Sequence, residues 1–214
     1  MVSNKGKIRL FRMVHHSNIE HILINGLHIH SSSQADPSYI GIGDTQLIRQ
    51  RKHFKIEIED NRNLGDYIPF YFSGHTPMLL NIKTGHRGIT KRKQDEIVFL
   101  VCEANDIVSK CSKWLFTDGH AKDALSKFYT DLVDLEKLDW SIIRARFWKN
   151  SEEDFDKMRR KQAEFLIYKY VPINCIKGLI VKKESRKLEL EKIILHLGLA
   201  LKIYVDVDCK YYYP

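Results

Sequence analysis

Arg159-Arg160-Lys161-Gln162-Ala163-Glu164-Phe165-Leu166-Ile167-Tyr168-Lys169-Tyr170-Val171 places a single carboxylate at the mouth of an apolar run. The aromatic and branched residues from Phe165 onward predict a strand. An ionised carboxylate buried there would need a partner to offset its lost hydration, so Glu164 does not read as a core residue. It reads as a functional carboxylate at a strand end. The plain alternative is a charged residue on the outer face of a solvated strand terminus.

Working outward, the 214 residues suffice for one good core, and the simplest organisation is a single domain over 1–214. The 35 Lys and Arg exceed the 27 Asp and Glu, which gives a net charge of +8 and favours polyanionic partners, nucleic acid among them. Cys102, Cys111, Cys175 and Cys209 are widely spaced, with neither C-x-x-C pairs nor a disulfide framework, as expected of a reduced protein without a structural zinc. Met1 to Leu10 lacks the apolar stretch of a signal peptide, and no segment approaches the ~20 apolar residues of a membrane span. A cytoplasmic protein with no membrane association is the default expectation.

Ile8 to Val14 predicts a first strand, and Ser17-Asn18-Ile19-Glu20 has the spacing of a capping box opening a helix that Gly26 stops. His15 and His16 fall at that strand-to-helix junction, a place where an anion can be met. Residues Ser31 to Asp44 predict a mobile loop containing Tyr39, and Thr45 is placed to cap a short helix through Arg51. Tyr67 to Phe72 predicts a strand whose Pro69 suggests an edge or a bulge. Lys83 to Lys93, with no acid and two glycines, predicts an exposed basic loop. Ile97 to Val101 and Trp114 to Phe116 predict buried strands. Leu125, Phe128, Leu132 and Leu135 recur at helical spacing, which predicts a helix over about 122–135. Asp139 to Lys161 mixes aromatics with arginines, as either a substrate-facing loop or a surface helix pair. The last third predicts a strand at Gly178 to Val181, a helix from Ser185 to Leu197 and a strand from Leu201 to Val205. Strands and helices do not alternate regularly, so the class is α+β, a strand-rich mixed core flanked by helices.

Phosphate-loop and dinucleotide fingerprints are absent, as are H-E-x-x-H and the deaminase zinc signature, so no metal is expected. What remains is an ordered set of motifs: His15 to Ile19 with Ile22 to Leu27, Tyr39 to Gly43, Leu64 to Phe72, Pro77 to Leu79, Phe116 to Ala121 and Arg160 to Leu166. Together they resemble the DarT family, DNA ADP-ribosyltransferase toxins paired with macrodomain antitoxins, over about residues 8–172.

The resemblance implies an ADP-ribosyltransferase-like fold, NAD as co-substrate, single-stranded DNA as acceptor, a DarG-like macrodomain antitoxin as partner, and a monomer. It implies Glu164 as the catalytic glutamate and Arg51 as the essential arginine, with Arg49 as the competitor two residues away. His15, His16, Ser17, Gly26, Tyr39, Arg51 and His120 would hold NAD. Tyr71, Met78, Arg92 and Trp148 are the candidates for contacting DNA, although charge runs are commonly solvated and tryptophans commonly pack. The runner-up within the superfamily is an RNA-directed NAD-using enzyme such as a tRNA 2′-phosphotransferase. From another class, the alternative is a silent basic nucleic-acid-binding module.

Overall fold

The computed structural model describes residues 7–58, 62–199 and 202–214. Its strands are β1 (Arg9–His15), β2 (Leu27–His28), β3 (Lys55–Ile56), β4 (Arg62–Asn63), β5 (Tyr67–Tyr71), β6 (Ile97–Glu103), β7 (Trp114–Thr117), β8 (Phe128–Tyr129), β9 (Glu164–Tyr168), β10 (Tyr170–Val171), β11 (Ile176–Val181) and β12 (Tyr204–Val207). Its helices are α1 (Ile19–Asn25), α2 (Thr45–Arg51), α3 (Pro77–Thr84), α4 (Ala104–Lys110), α5 (Trp140–Arg144), α6 (Lys157–Arg160) and α7 (Glu184–His196). Eight strands form one mixed sheet in the order β12-β11-β6-β1-β5-β9-β7-β8, antiparallel except for the β11–β12 pair.

The period of two in the strands sorts the core into layers. Along β6, Val98, Leu100 and Cys102 join the main cluster with Leu10, Val14, Ile22, Phe70, Phe165 and Leu190, so helices α1 and α7 cover that face. Ile97, Phe99 and Val101 face the other way, onto Phe11, Leu79 and Ile82, where α3 packs. A third, smaller cluster unites Ile56, Leu64, Tyr67, Leu115, Ala121 and Leu166 beneath the start of β9.

Several sequence expectations are corrected. Residues 122–135 are not helical: Leu125 is 71% exposed, Phe128 pairs with Thr117 across β7–β8, and Asp131 caps a 3₁₀ segment over Leu132–Lys137. Short-range bonds, with Asp118 accepting the Lys127 amide and Asp123 the Leu125 amide, outcompete the helix. No Ser17 capping box forms; a 3₁₀ turn over His16–Asn18 leads into α1, and the His15 ring accepts the Ser17 amide. Asp44 rather than Thr45 caps α2.

Pro69 lies in a central strand, not at an edge. Its carbonyl points toward β1 and accepts from Arg12 Nη1, and β1 pairs with β5 only at Phe11–Tyr71, so no ladder bond needs the amide that proline lacks. The basic stretch begins inside α3, which ends at Thr84. The final strand begins at Tyr204; its expected start, Leu201, lies outside the described residues. Among the described residues, no helix is long and apolar enough to cross a membrane.

Candidate active site

Glu164 opens β9, cross-strand from Tyr71, on the same face as Leu166. It is 1% exposed, which overturns the expectation that it would lie outside the core, and the partner such burial demands is present. Arg51 Nη1 donates to Glu164 Oε2 at 2.8 Å, and the Ala121 amide donates to Oε1 at 3.0 Å. The Glu164 amide donates to Thr117 Oγ1, whose hydroxyl donates to the Gly119 carbonyl at 2.6 Å. The Phe116–Ala121 turn is thereby locked against the glutamate, and both carboxylate oxygens are oriented.

Arg51 arrives as the last residue of α2. Gly65 lets the 64–66 turn close on that helix end, since a β-carbon there would stand 2.8 Å from Lys52 Cα. Arg51 is 8% exposed, whereas Arg49 points into solvent, so the Arg49–Arg51 alternative resolves structurally in favour of Arg51 as the glutamate's partner.

Arg51 lines a cleft of about 660 Å³, within the range of ligand sites, and Glu164 lies behind it. Gly26, Tyr39, Arg51, Tyr71 and Met78 line it, joined by Arg12, Asp44 and Tyr67, which sequence reading did not single out. Arg12 was legible as a cation inside an otherwise apolar strand. Arg12 Nε and Arg51 Nη2 are both buried without a hydrogen-bond partner among the described residues. Two orphaned guanidinium donors on one wall suit an anionic ligand. Asn18, also missed, pins the 30–44 loop over the cleft by exchanging two bonds with the Ile40 backbone, at 3.0 and 2.9 Å.

Other expected site residues fall elsewhere. His15, His16 and Ser17 are not on the cleft wall: His15 turns to Glu96, and His16 to Arg186 and Glu189. Burial lowers the pKa of both rings below 6.5, the main cause in each case. His120 sits within electrostatic reach of Glu164 and Arg51; burial lowers its pKa against the raising effect of Glu164, so its neutral ring is favoured at pH 7. Burial, reinforced by the Glu164 charge, raises the Tyr71 pKa and keeps the phenol protonated. Arg92 is ion-paired to Glu96 at 3.6 Å. Trp148 is buried, its indole N–H donating to Tyr213 Oη, the packed alternative that the sequence offered beside a DNA contact; the open ring is its neighbour Phe147, 88% exposed.

A mixed sheet ending on a buried carboxylate, gripped by an arginine beside a deep cleft with orphaned cationic donors, defines an enzyme for anionic, nucleotide-sized substrates. The family model described as "ssDNA thymidine ADP-ribosyltransferase, DarT" matches residues 11–213. A DNA ADP-ribosyl transferase of Escherichia coli O127:H6 is 36% identical over 201 residues, covering 94% of this chain and 92% of its own length. Another from Thermus sp. 2.9 is 30% identical, with 95% of both chains covered. The solved structure of Thermus sp. 2.9 DarT in complex with ADP-ribosylated ssDNA superposes with a TM-score of 0.87 at 29% identity, covering 96% of both chains. Its complex with NAD+ gives 0.81 at 28% identity, covering 96% of this chain and 98% of the other. The chain belongs to the DarT family. It is a DNA ADP-ribosyltransferase, and neither a tRNA phosphotransferase nor a silent binding module.

Proposed function

We propose that the 660 Å³ cleft takes NAD+ and that Glu164 and Arg51 direct transfer of its ADP-ribose to thymine in single-stranded DNA. The observation that carries this reading is the Arg51–Glu164 pair with the unpartnered Arg51 Nη2 and Arg12 Nε beside it. These donors fit a diphosphate, which presents several anionic acceptors in one stretch. The sequence reading's further NAD residues divide accordingly: Gly26 and Tyr39 belong to the wall, His120 to the vicinity of the glutamate, and His15 to Ser17 to the support behind α1.

The chemistry follows from charge development. As the bond from ribose C1′ to the nicotinamide nitrogen breaks, its electron pair leaves with nicotinamide and the ribose gains oxocarbenium character. A carboxylate beside the sugar's hydroxyls stabilises charge that exists only in the transition state. Both Glu164 oxygens already accept one bond, and each keeps a lone pair for a substrate hydroxyl. Thymidine's one ring N–H is at N3; as that nitrogen bonds C1′, its proton passes to Glu164 and then to water. The fixed Arg51 and Ala121 donors hold the carboxylate in place without reorganisation.

A base inside a duplex is out of reach, so the acceptor strand is single or locally opened. Tyr71, the cross-strand partner of Glu164, and Met78, also on the cleft wall, are the candidates for contacting the target base. The chain acts as one domain over 1–214, a reading supported by one sheet that includes both β1 and β12, and as a monomer. Its setting is the cytoplasm, where it is the toxin restrained by a macrodomain antitoxin. The likeness to the Thermosipho africanus DarTG complex with ADP-ribose, 20% identical, accompanies that reading at the level of fold.

The test is incubation with NAD+ and three oligonucleotides, a thymine-containing DNA, a thymine-free DNA and an RNA, read by mass. One added ADP-ribose on the first alone is expected. Equal labelling of the RNA or of thymine-free DNA contradicts the assignment.

A further inference from the structure

A second cleft, of about 290 Å³, lies beyond the end of β5, between α5 and the C-terminal segment. Ser73, His75, Arg144, Lys161, Lys210 and Tyr211 are among its walls. Ser73 Oγ is buried there with no hydrogen-bond partner. The charges are unbalanced: Asp208 is the acid on the wall, against Arg144, Lys161 and Lys210. Lys161 is 2% exposed and reaches no carboxylate among the described residues; its Nζ donates to the Ile143 and Ala145 carbonyls, both at 2.7 Å, and burial lowers its pKa to about 8. Arg144 rests on the Trp140 ring rather than on an acid.

The adjoining segment continues the pattern as Arg144-Ala145-Arg146-Phe147-Trp148-Lys149. Trp148 anchors it, bonded to Tyr213, which donates to the Thr76 carbonyl at the cap of α3. Arg146, Phe147 and Lys149 are left exposed. An open aromatic ring among unpaired cations is the composition of a stacking platform with phosphate contacts.

This cleft is tied to the catalytic glutamate from two sides. Phe72 and Ser73 on its wall directly follow Tyr71, the cross-strand partner of Glu164. Lys161 stands three residues before Glu164 on the same chain segment. Phe11, also on this wall, pairs with Tyr71 and Tyr71 with Glu164, so the cleft lies two strands from the glutamate, roughly 10 Å at ~5 Å per strand.

We infer that the second cleft is a subsite for the nucleotide flanking the target thymidine, with Arg144 and Lys210 meeting its phosphate and Phe147 and Tyr211 offering faces to its base. The inference rests on single-stranded DNA being the acceptor.

The test measures binding of a labelled ten-nucleotide single strand against salt concentration, for wild type, the double variant Arg144→Gln/Lys210→Gln, and Phe147→Ala. Each lost phosphate contact lowers the slope of log affinity against log salt by about 0.7, so the double variant should lose about 1.4. Phe147→Ala should weaken binding about tenfold with the slope kept, as removal of one stacking face does. NAD+ hydrolysis without DNA, measured alongside, should stay at the wild-type rate in all three, which reports an intact fold and catalytic pair. If wild type binds the strand and both variants keep its slope and affinity, the subsite is overturned while the acceptor assignment stands. If wild type binds no single strand, the acceptor assignment fails and the subsite with it.

Discussion

Arg159 and Arg160 sit at the foot of β9 with all three side-chain nitrogens of each engaged, whereas Arg144 and Arg146 show no carboxylate partner among the described residues. Arg159 bridges Asp156 at 2.7 Å and Asp118 at 2.9 Å and also donates to Ser126; Arg160 joins Asp139, Asp154 and Asp156. Gly119 is required beside this bridge, because a β-carbon there would stand 2.3 Å from Arg159 Nη1. The paired arginines therefore hold the 118–126 turn and the 139–156 segment in front of Glu164. The unpaired ones keep their charge available for a polyanion. What an arginine does here is set by whether the fold supplies its counter-charge, and Arg51 is the intermediate case, with one nitrogen on Glu164 and another unpartnered.

That comparison is broken most severely at Arg51. Arg51→Ala strands a 1% exposed carboxylate with one amide donor, and unfolding by denaturant should show a loss of about 3–5 kcal/mol along with the loss of NAD use. Arg51→Lys keeps the charge but not the fork, so it should recover much of the stability and little of the activity. Recovery of full activity by lysine would reduce Arg51 to a general electrostatic role.

Arg159→Ala should cost about 2 kcal/mol, since it leaves Asp118 and Asp156 without their charged donor. Arg146→Ala, by contrast, should leave the denaturation midpoint unchanged. Equal destabilisation by the two would erase the distinction between scaffold and substrate arginines.

Lys161 sharpens the contrast through pH. Its folded pKa of about 8 lies below the usual 10.5 because burial disfavours the charge. Between those values the unfolded chain retains a proton that the native state sheds, so stability rises with pH across that window, and the cost is fully present below pH 8. Wild type should gain on Lys161→Met by at most about 1.4 kcal/mol per pH unit from pH 8 to 10. A flat difference would show that Lys161 keeps its ordinary pKa.

The smallest effect is expected in the basic stretch after α3. Arg92 is already paired with Glu96, and Arg87 lies 4.0 Å from Asp44, so neutralising Lys91, Arg92 and Lys93 should flatten the salt dependence of DNA binding less than Arg144→Gln/Lys210→Gln does. A larger change from the triple variant would move the strand to the 83–93 side.

The Arg51–Glu164 pair was legible in part because chemistry constrains it locally: a carboxylate at the head of an apolar strand and a fixed string of motifs single out Glu164 and Arg51, which the fold brings to 2.8 Å. Strand β6 was legible for a similar reason, since burial on both faces demands a continuous apolar run, and β1, β7 and β11 were legible from runs that are largely apolar. The helix expected over 122–135 failed because spacing alone cannot see Asp118 and Asp131 capturing backbone amides. The roles of Arg159 and Lys161 were illegible since each depends on partners far along the chain, Asp118 for the one and the Ile143 and Ala145 carbonyls for the other. Trp148 and Phe147 are adjacent in sequence and opposite in exposure, a difference fixed by the Tyr213 contact from the far end of the chain.

The central claim, that Glu164 acts on the transition state rather than on the fold or on NAD+ binding, is tested most directly by Glu164→Gln. The amide has the same shape, but its one oxygen serves either the Arg51 or the Ala121 donor and its NH2 group faces the other, so the variant loses the charge and one of the two bonds. Single-turnover ADP-ribosylation of a thymine-containing strand should slow by about 10²–10³-fold, with NAD+ affinity close to wild type and a cooperative melting transition retained at a somewhat lower temperature. A folded Glu164→Gln protein that modifies the strand at nearly the wild-type rate would contradict the account.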